Sequence, residues 1–215
     1  MLSPNFLKYI ILSVPGILLG ITVHEFSHGY VAYKLGDSTP LLAGRLSLNP
    51  FKHLDLLGTL MLFIFRFGWA KPVPINPYNF KNPRQGVIYV SLAGPLSNIA
   101  VAGIFGIFTR LLTIFLKESW ATPLIVIFIF VVMYNILLGL FNLIPIPPLD
   151  GSKILFAFTG ESRVTHFLHR YGFLILIILL VSGSFTGINL IWILIGPFFK
   201  LFSILFLGYD ISSFM

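Results

Sequence analysis

Apolar residues run almost unbroken through five stretches of this chain, at roughly 6–33, 87–116, 123–144, 171–183 and 187–207. A helix needs about 20 mostly apolar residues to cross the hydrocarbon core of a bilayer, so the first three stretches predict membrane-spanning helices. The region 171–208 is too long for one crossing at about 1.5 Å per residue, and the small, turn-prone residues of "SGSFTGIN" (182–189) divide it in two. A sixth run, Leu56 to Phe65, is only ten residues long and is followed by Arg66 and the proline-rich "GWAKPVPINPYNFKNPRQG" (68–86). Its length predicts a re-entrant or interfacial element. The pattern describes an all-α polytopic membrane protein with five to six hydrophobic segments. Since no stretch is polar enough for a separate soluble domain, residues 1–215 read as a single membrane domain.

Composition supports this reading. The chain is 57% hydrophobic and 10% charged, with a mean hydropathy of +0.95, whereas soluble domains are about 25% charged. The net charge of +7 would suggest nucleic-acid binding in a soluble protein. In a membrane protein an excess of Lys and Arg in cytoplasmic connections accounts for it, and no nucleic-acid partner is expected. The sequence has no cysteine, so any metal must be held by His, Asp or Glu. The N-terminus lacks the short apolar core and small-residue cleavage site of a removable signal peptide, and the first segment is expected to be retained.

The first apolar stretch is interrupted by "HEFSH" at 24–28. His24 and His28 are four apart, so on a helix they project from one face about one turn apart and can reach one ion. Glu25 lies beside that pair, where it can act on a water without being a ligand. Chance alone gives on the order of 0.002 matches to this motif in a chain of this composition. Burying such groups in lipid costs a few kcal/mol or more each, so they need partners, whether in a helix bundle, along a proton or ion path, or at a metal. Zinc hydrolysis requires a third protein ligand. Asp150 is the leading candidate, because it closes "FNLIPIPPLDG" (141–151), where Pro145, Pro147 and Pro148 prevent a regular helix and Gly151 permits a tight turn. Without a metal, Asp150 would read as the cap of a helix starting at Ser152. Asp37, Asp55, Asp210, Glu118 and Glu161 have ordinary surface readings, His53 reads as a structural hydrogen-bonding residue, and His166 and His169 as an interfacial helix face.

If His24 and His28 meet Asp150, the ends of the first span and of 123–144 share one side of the membrane. Residues 34–86 must then begin and end on that side, and the run at 56–65 has to dip in and return. The connections 34–86 and 150–170 hold ten of the Lys and Arg residues, against three on the other side (Lys8, Arg110 and Lys117). This bias predicts a cytoplasmic site and an N-terminus outside.

Three motifs in order, "HEFSH" (24–28), "AGPLSN" (93–98) and "NLIPIPPLDG" (142–151), resemble the site-2 protease family of intramembrane zinc metalloproteases. "GRLSLNP" and "FGWAKPVPINPYNF" resemble a short bacterial-type branch of it, and nothing resembles the PDZ or CBS modules of other branches. The resemblance implies one zinc ion on His24, His28 and Asp150, with Glu25 as general base and Asn98 and Asn142 near the site holding an extended substrate or the oxyanion. It also implies a catalytic core over about 6–151, C-terminal helices over 152–215, and a re-entrant β-hairpin before the "AGP" helix that presents substrate. Taken alone, Asn98 and Asn142 read as helix-packing donors. The expected activity is regulated intramembrane proteolysis of a membrane-protein substrate in the plasma membrane, and a homo-oligomer is compatible with the sequence. A metal or proton transporter could use the same four groups. An edge strand from 44–49 or 71–76 could hold the unwound substrate by β-augmentation.

Overall fold

The computed structural model describes residues 4–65, 68–115 and 122–212. They form eight helices: α1 (Pro4–Lys34), α2 (Thr39–Leu42), α3 (Leu56–Phe65), α4 (Pro83–Phe115), α5 (Thr122–Asn142), α6 (Asp150–Thr159), α7 (Arg163–Thr186) and α8 (Leu190–Leu207). Four of them, α4, α5, α7 and α8, are long and apolar enough to cross a membrane. The protein is therefore an all-helical, multi-pass membrane protein.

Lipid tails are as apolar as leucine, so helices in a bilayer associate through close packing and hydrogen bonds. Both are visible where α1 meets α5. A Cβ on Gly16 would lie 2.9 Å from the Phe130 carbonyl oxygen, and one on Gly20 would lie 2.6 Å from a Leu138 methyl. Gly16 thus lets the two backbones come into contact, and Gly20, four residues on, makes room for the Leu138 and Asn135 side chains. One residue beyond Leu138 along α5, Gly139 allows a similar approach to α4, against the Pro95 carbonyl and Ile99. The bundle α1–α4–α5 is extended by α8 and then α7 through a buried apolar cluster that includes Val132, Ile136, Leu176, Ile191 and Phe199. Large apolar side chains on the outer faces, such as Ile107, Phe108, Phe173, Leu194 and Leu201, are exposed and suited to acyl chains.

The C-terminal pair differs in its limits from the apolar pattern. Helix α7 begins at Arg163, eight residues before the apolar stretch, because Ser162 caps it by accepting the Thr165 amide at 3.2 Å. It continues through "SGSF" and stops at Gly187, which takes the left-handed conformation (φ 71°). Asn189 then caps α8 by accepting from Trp192. Capping chemistry sets these boundaries, and apolar runs do not report it.

Between α1 and α4 the chain makes a closed excursion. The Lys71 amide donates to the His53 carbonyl at 2.8 Å, and Leu54 and Ala70 form an isolated antiparallel bridge. The two ends of the stretch carrying α3 therefore meet. Among the described residues this connection contains no strand, so pairing at the expected hairpin comes down to that bridge and bond. His53 is fully buried and bonds the Ser47 carbonyl through Nε2 at 2.7 Å, a structural role.

The next stretch is fastened to the end of α1 by Asp37. Although its sequence setting suggested a surface residue, Asp37 is completely buried. Its Oδ1 accepts from the Thr39 amide, the Thr39 hydroxyl and Asn79 Nδ2, and its Oδ2 accepts from the Asn76 amide at 2.7 Å. Burial pushes the carboxyl pKa up, but the bonds from Thr39, Asn76 and Asn79 outweigh it and hold the group below its ordinary 3.8. A carboxyl lowered by folding stabilises the fold above its unfolded pKa and ceases to do so as pH falls through the folded value. Asp37→Asn is expected to lower the thermal unfolding midpoint of the detergent-solubilised protein near neutral pH. The gap to wild type should narrow as the pH is taken below about 4.

Candidate metal centre

Helix α1 carries His24 and His28 one turn apart on the face that α4 covers, and Asp150 is brought to them by the proline-broken loop after α5. His24 Nε2 lies 3.1 Å and His28 Nε2 3.0 Å from Asp150 Oδ2, and the two Nε2 atoms are 3.0 Å apart. The three residues are only 5–7% exposed. Their donor atoms form the group able to hold a metal ion among the described residues.

Neighbouring groups determine which histidine nitrogens face the centre. His28 Nδ1 lies 2.6 Å from the Val90 carbonyl, which can only accept, so Nδ1 carries the proton. His24 Nδ1 lies 2.7 Å from Asn98 Oδ1. The Asn98 amide nitrogen donates to the Gly20 carbonyl and to Asn135 Oδ1. Asn135 in turn donates to the Gly16 and Val131 carbonyls. Because this chain ends on backbone acceptors, every amide in it is oriented and His24 Nδ1 must donate. With each Nδ1 committed as a donor, Nε2 of each histidine is the atom that faces the Asp150 carboxylate.

A divalent cation fits this donor set. Zinc bonds of about 2.0 Å in a tetrahedron place neighbouring ligand atoms about 3.3 Å apart, close to the separations here. The second oxygen of Asp150 accepts from Lys153 Nζ at 2.8 Å, which leaves Oδ2 for the centre. Space is provided by Gly94 of α4, where a Cβ would come within 2.5 Å of His28 Nε2 and 2.7 Å of His24 Nε2. Gly151 has a related role: a Cβ there would run into the Leu143 and Ile144 carbonyls, so only glycine lets the turn bearing Asp150 fold beneath the loop. Asp150 is the first residue of α6, with Leu149 at the cap position, so its side chain is not used as a helix cap.

Glu25 is next to this cluster, and its Oε2 accepts a hydrogen bond from the Val73 amide at 3.0 Å. Asn98 makes the helix-packing hydrogen bonds that its residue type alone suggests. Its oxygen and both N–H groups are engaged within the protein, so it orients His24 and has no donor left for a substrate. Asn142 back-bonds the Leu138 carbonyl in its own helix at 2.9 Å. His166 and His169 are exposed on α7, as expected. Pairing of substrate through 71–76 is restricted: Pro72 and Pro74 have no N–H, and Lys71, Val73 and Asn76 donate theirs to His53, Glu25 and Asp37. At most the Ile75 amide is left to pair with a peptide. Sequence reading missed Asn135 and the Gly16/Gly20 pair. Their signals were a lone asparagine in the apolar run "VVMYNILLG" and two glycines at four-residue spacing.

A helical membrane protein with two histidines and an aspartate converging beside a glutamate has the architecture of a membrane-embedded metallohydrolase. Comparison with known proteins narrows that class. The family model described as Peptidase family M50 matches residues 109–181, a stretch that includes Asp150. Three similar proteins carry the name "Putative zinc metalloprotease". YwhC of Bacillus subtilis is 36% identical over 213 residues, 94% of each chain. Rip2 of Mycolicibacterium smegmatis is 29% identical over 84% of this chain and 70% of its own. MJ0611 of Methanocaldococcus jannaschii is 33% identical over 71% of this chain and 73% of its own. No solved structure matches. The chain belongs to peptidase family M50, the site-2 proteases, and is a membrane zinc metalloprotease.

Gly94→Ala would press a methyl group against His24 Nε2 and His28 Nε2. It should reduce zinc affinity about 10-fold or more, measured as metal retained against a competing chelator, while helicity is preserved. Gly103→Ala, whose Cβ meets only ordinary contacts with Phe206, should retain zinc.

Proposed function

We propose that the protein is an intramembrane endopeptidase that cleaves a transmembrane helix of a membrane-protein substrate near the cytoplasmic leaflet. In this reading His24, His28 and Asp150 hold one zinc ion and Glu25 is the general base. The observation that carries it is the convergence of His24 Nε2, His28 Nε2 and Asp150 Oδ2, with their other polar atoms engaged elsewhere and a glutamate next in sequence to His24.

When bound, zinc acidifies a water molecule and polarises the scissile carbonyl. The remaining work falls to the chain. Asn98 and the Val90 carbonyl hold the imidazoles in one tautomer, and Lys153 holds Asp150. Glu25 takes a proton from the attacking water and returns it to the leaving amine. A substrate helix must unwind locally, because its amides are otherwise bonded and shielded. Lys153 lines an open groove of about 450 Å³ between α4 and α6, with Pro83, Arg84, Val87, Phe156 and Ala157. We assign this groove as the approach for the unwound segment, with Asn142 as a substrate-facing amide at the loop. The surplus of Lys and Arg in 34–86 and 150–170 supports an orientation with the N-terminus outside; in this reading the protein lies in the plasma membrane and acts in regulated intramembrane proteolysis.

Reconstitution with single-span substrates tests the assignment. Glu25→Gln should cut cleavage by about 10²–10⁴-fold while zinc content is retained. Chelation should abolish cleavage, and added zinc should restore it. Equal cleavage by wild type and Glu25→Gln would remove Glu25 from the role of base.

A further inference from the structure

Residues 72–74 read Pro-Val-Pro. Proline has no backbone N–H, so this run contains one amide donor. That donor, the Val73 N–H, is bonded to Glu25 Oε2 at 3.0 Å, across 48 positions of sequence. The surroundings are arranged to keep it there. Val73 is buried while both flanking prolines are exposed. A Cβ on Gly29 of α1 would lie 3.3 Å from a Val73 methyl, so glycine at that position lets the segment lie directly on the helix that bears Glu25. The segment is also secured on both sides: Lys71 donates to the His53 carbonyl, and Asn76 donates to the buried Asp37 carboxylate.

We propose that Val73 is a positioning residue for Glu25, acting through its backbone amide. The inference rests on the reading of Glu25 as general base. A carboxylate on a flexible side chain has two equivalent oxygens and several rotamers. A fixed N–H on Oε2 selects one rotamer and leaves Oε1 for the proton that the base takes and returns. The two prolines serve this arrangement in two ways: they hold φ near −65° on either side of Val73, and they remove the adjacent donors that would compete for the same oxygen. Asp37 is the remote anchor, because its bonds to Asn76 and Asn79 determine where the segment lies over α1.

The proposal separates the Val73 amide from its side chain. Val73→Ala keeps the N–H, whereas Val73→Pro removes it. With the zinc-loaded protein and a single-span substrate, Val73→Pro should lower kcat about 10-fold or more relative to Val73→Ala, with KM and zinc content unchanged. Equal kcat in the two variants, or a loss confined to KM, would overturn the proposal. A second measurement does not depend on activity or on the folding of the proline variant. Val73 has the one exchangeable backbone amide within 72–74, and in metal-free protein its residue-resolved hydrogen exchange should accelerate at least about 10-fold on Glu25→Ala while the Asn76 amide stays protected. Unchanged exchange at Val73 would overturn the proposal. If wild type cleaves no substrate, the protease reading fails and the exchange comparison alone decides whether Val73 holds Glu25.

Discussion

Three potential ligand atoms held about 3 Å apart in a buried site repel one another unless a proton or a metal cation lies among them. That condition applies to His24, His28 and Asp150, and much of the molecule serves to sustain it. Left alone, either imidazole could rotate or take up a proton and relieve the crowding. The Val90 carbonyl fixes the ring orientation of His28, and the Asn98–Asn135 pair fixes that of His24, so neither can relieve the crowding by rotation. Those partners keep their positions because Gly16 and Gly139 let the backbone of α5 meet α1 and α4, and Gly20 makes room for Asn135. Helix packing and metal chemistry are therefore one arrangement: the same glycines that allow close approach also expose the carbonyls on which the asparagines terminate.

Much of the site could be read from the residues because its strongest signals are local. Four-residue spacing brings His24 and His28 together on any helix, and the prolines before Asp150 mark a broken segment whatever the fold. The spanning helices are similarly evident, since a bilayer requires long apolar runs. What escaped the reading depends on meetings between distant segments. Asp37 looks like a loop carboxylate until Asn76 and Asn79 are folded against it. Asn98 resembles a substrate ligand until Asn135, on another helix, is seen to take up its amide. Helix ends were misjudged where Ser162 and Gly187 override hydropathy.

The connection between α1 and α4 acquires a different character from the one its likeness to a hairpin suggests. A strand offers regularly spaced donors and acceptors along its edge. Here prolines and buried anchors have removed nearly every donor from 71–76, and one of the remaining bonds points inward to Glu25. The segment is better described as a brace laid over α1, with Asp37 at one end and the His53 carbonyl at the other.

The asparagine chain behind His24 also bears on what can move through this protein. A proton wire needs groups that accept a proton on one side and release it on the other. From His24 the path leads to two carboxamides and then to the carbonyls of Gly16 and Val131, none of which exchanges protons readily in this way. The His24 Nδ1 proton is thus in a cul-de-sac. The chain conveys orientation but carries no charge, which suits a stationary catalytic centre and offers no route on that side for the proton translocation that a transporter built on these residues would require.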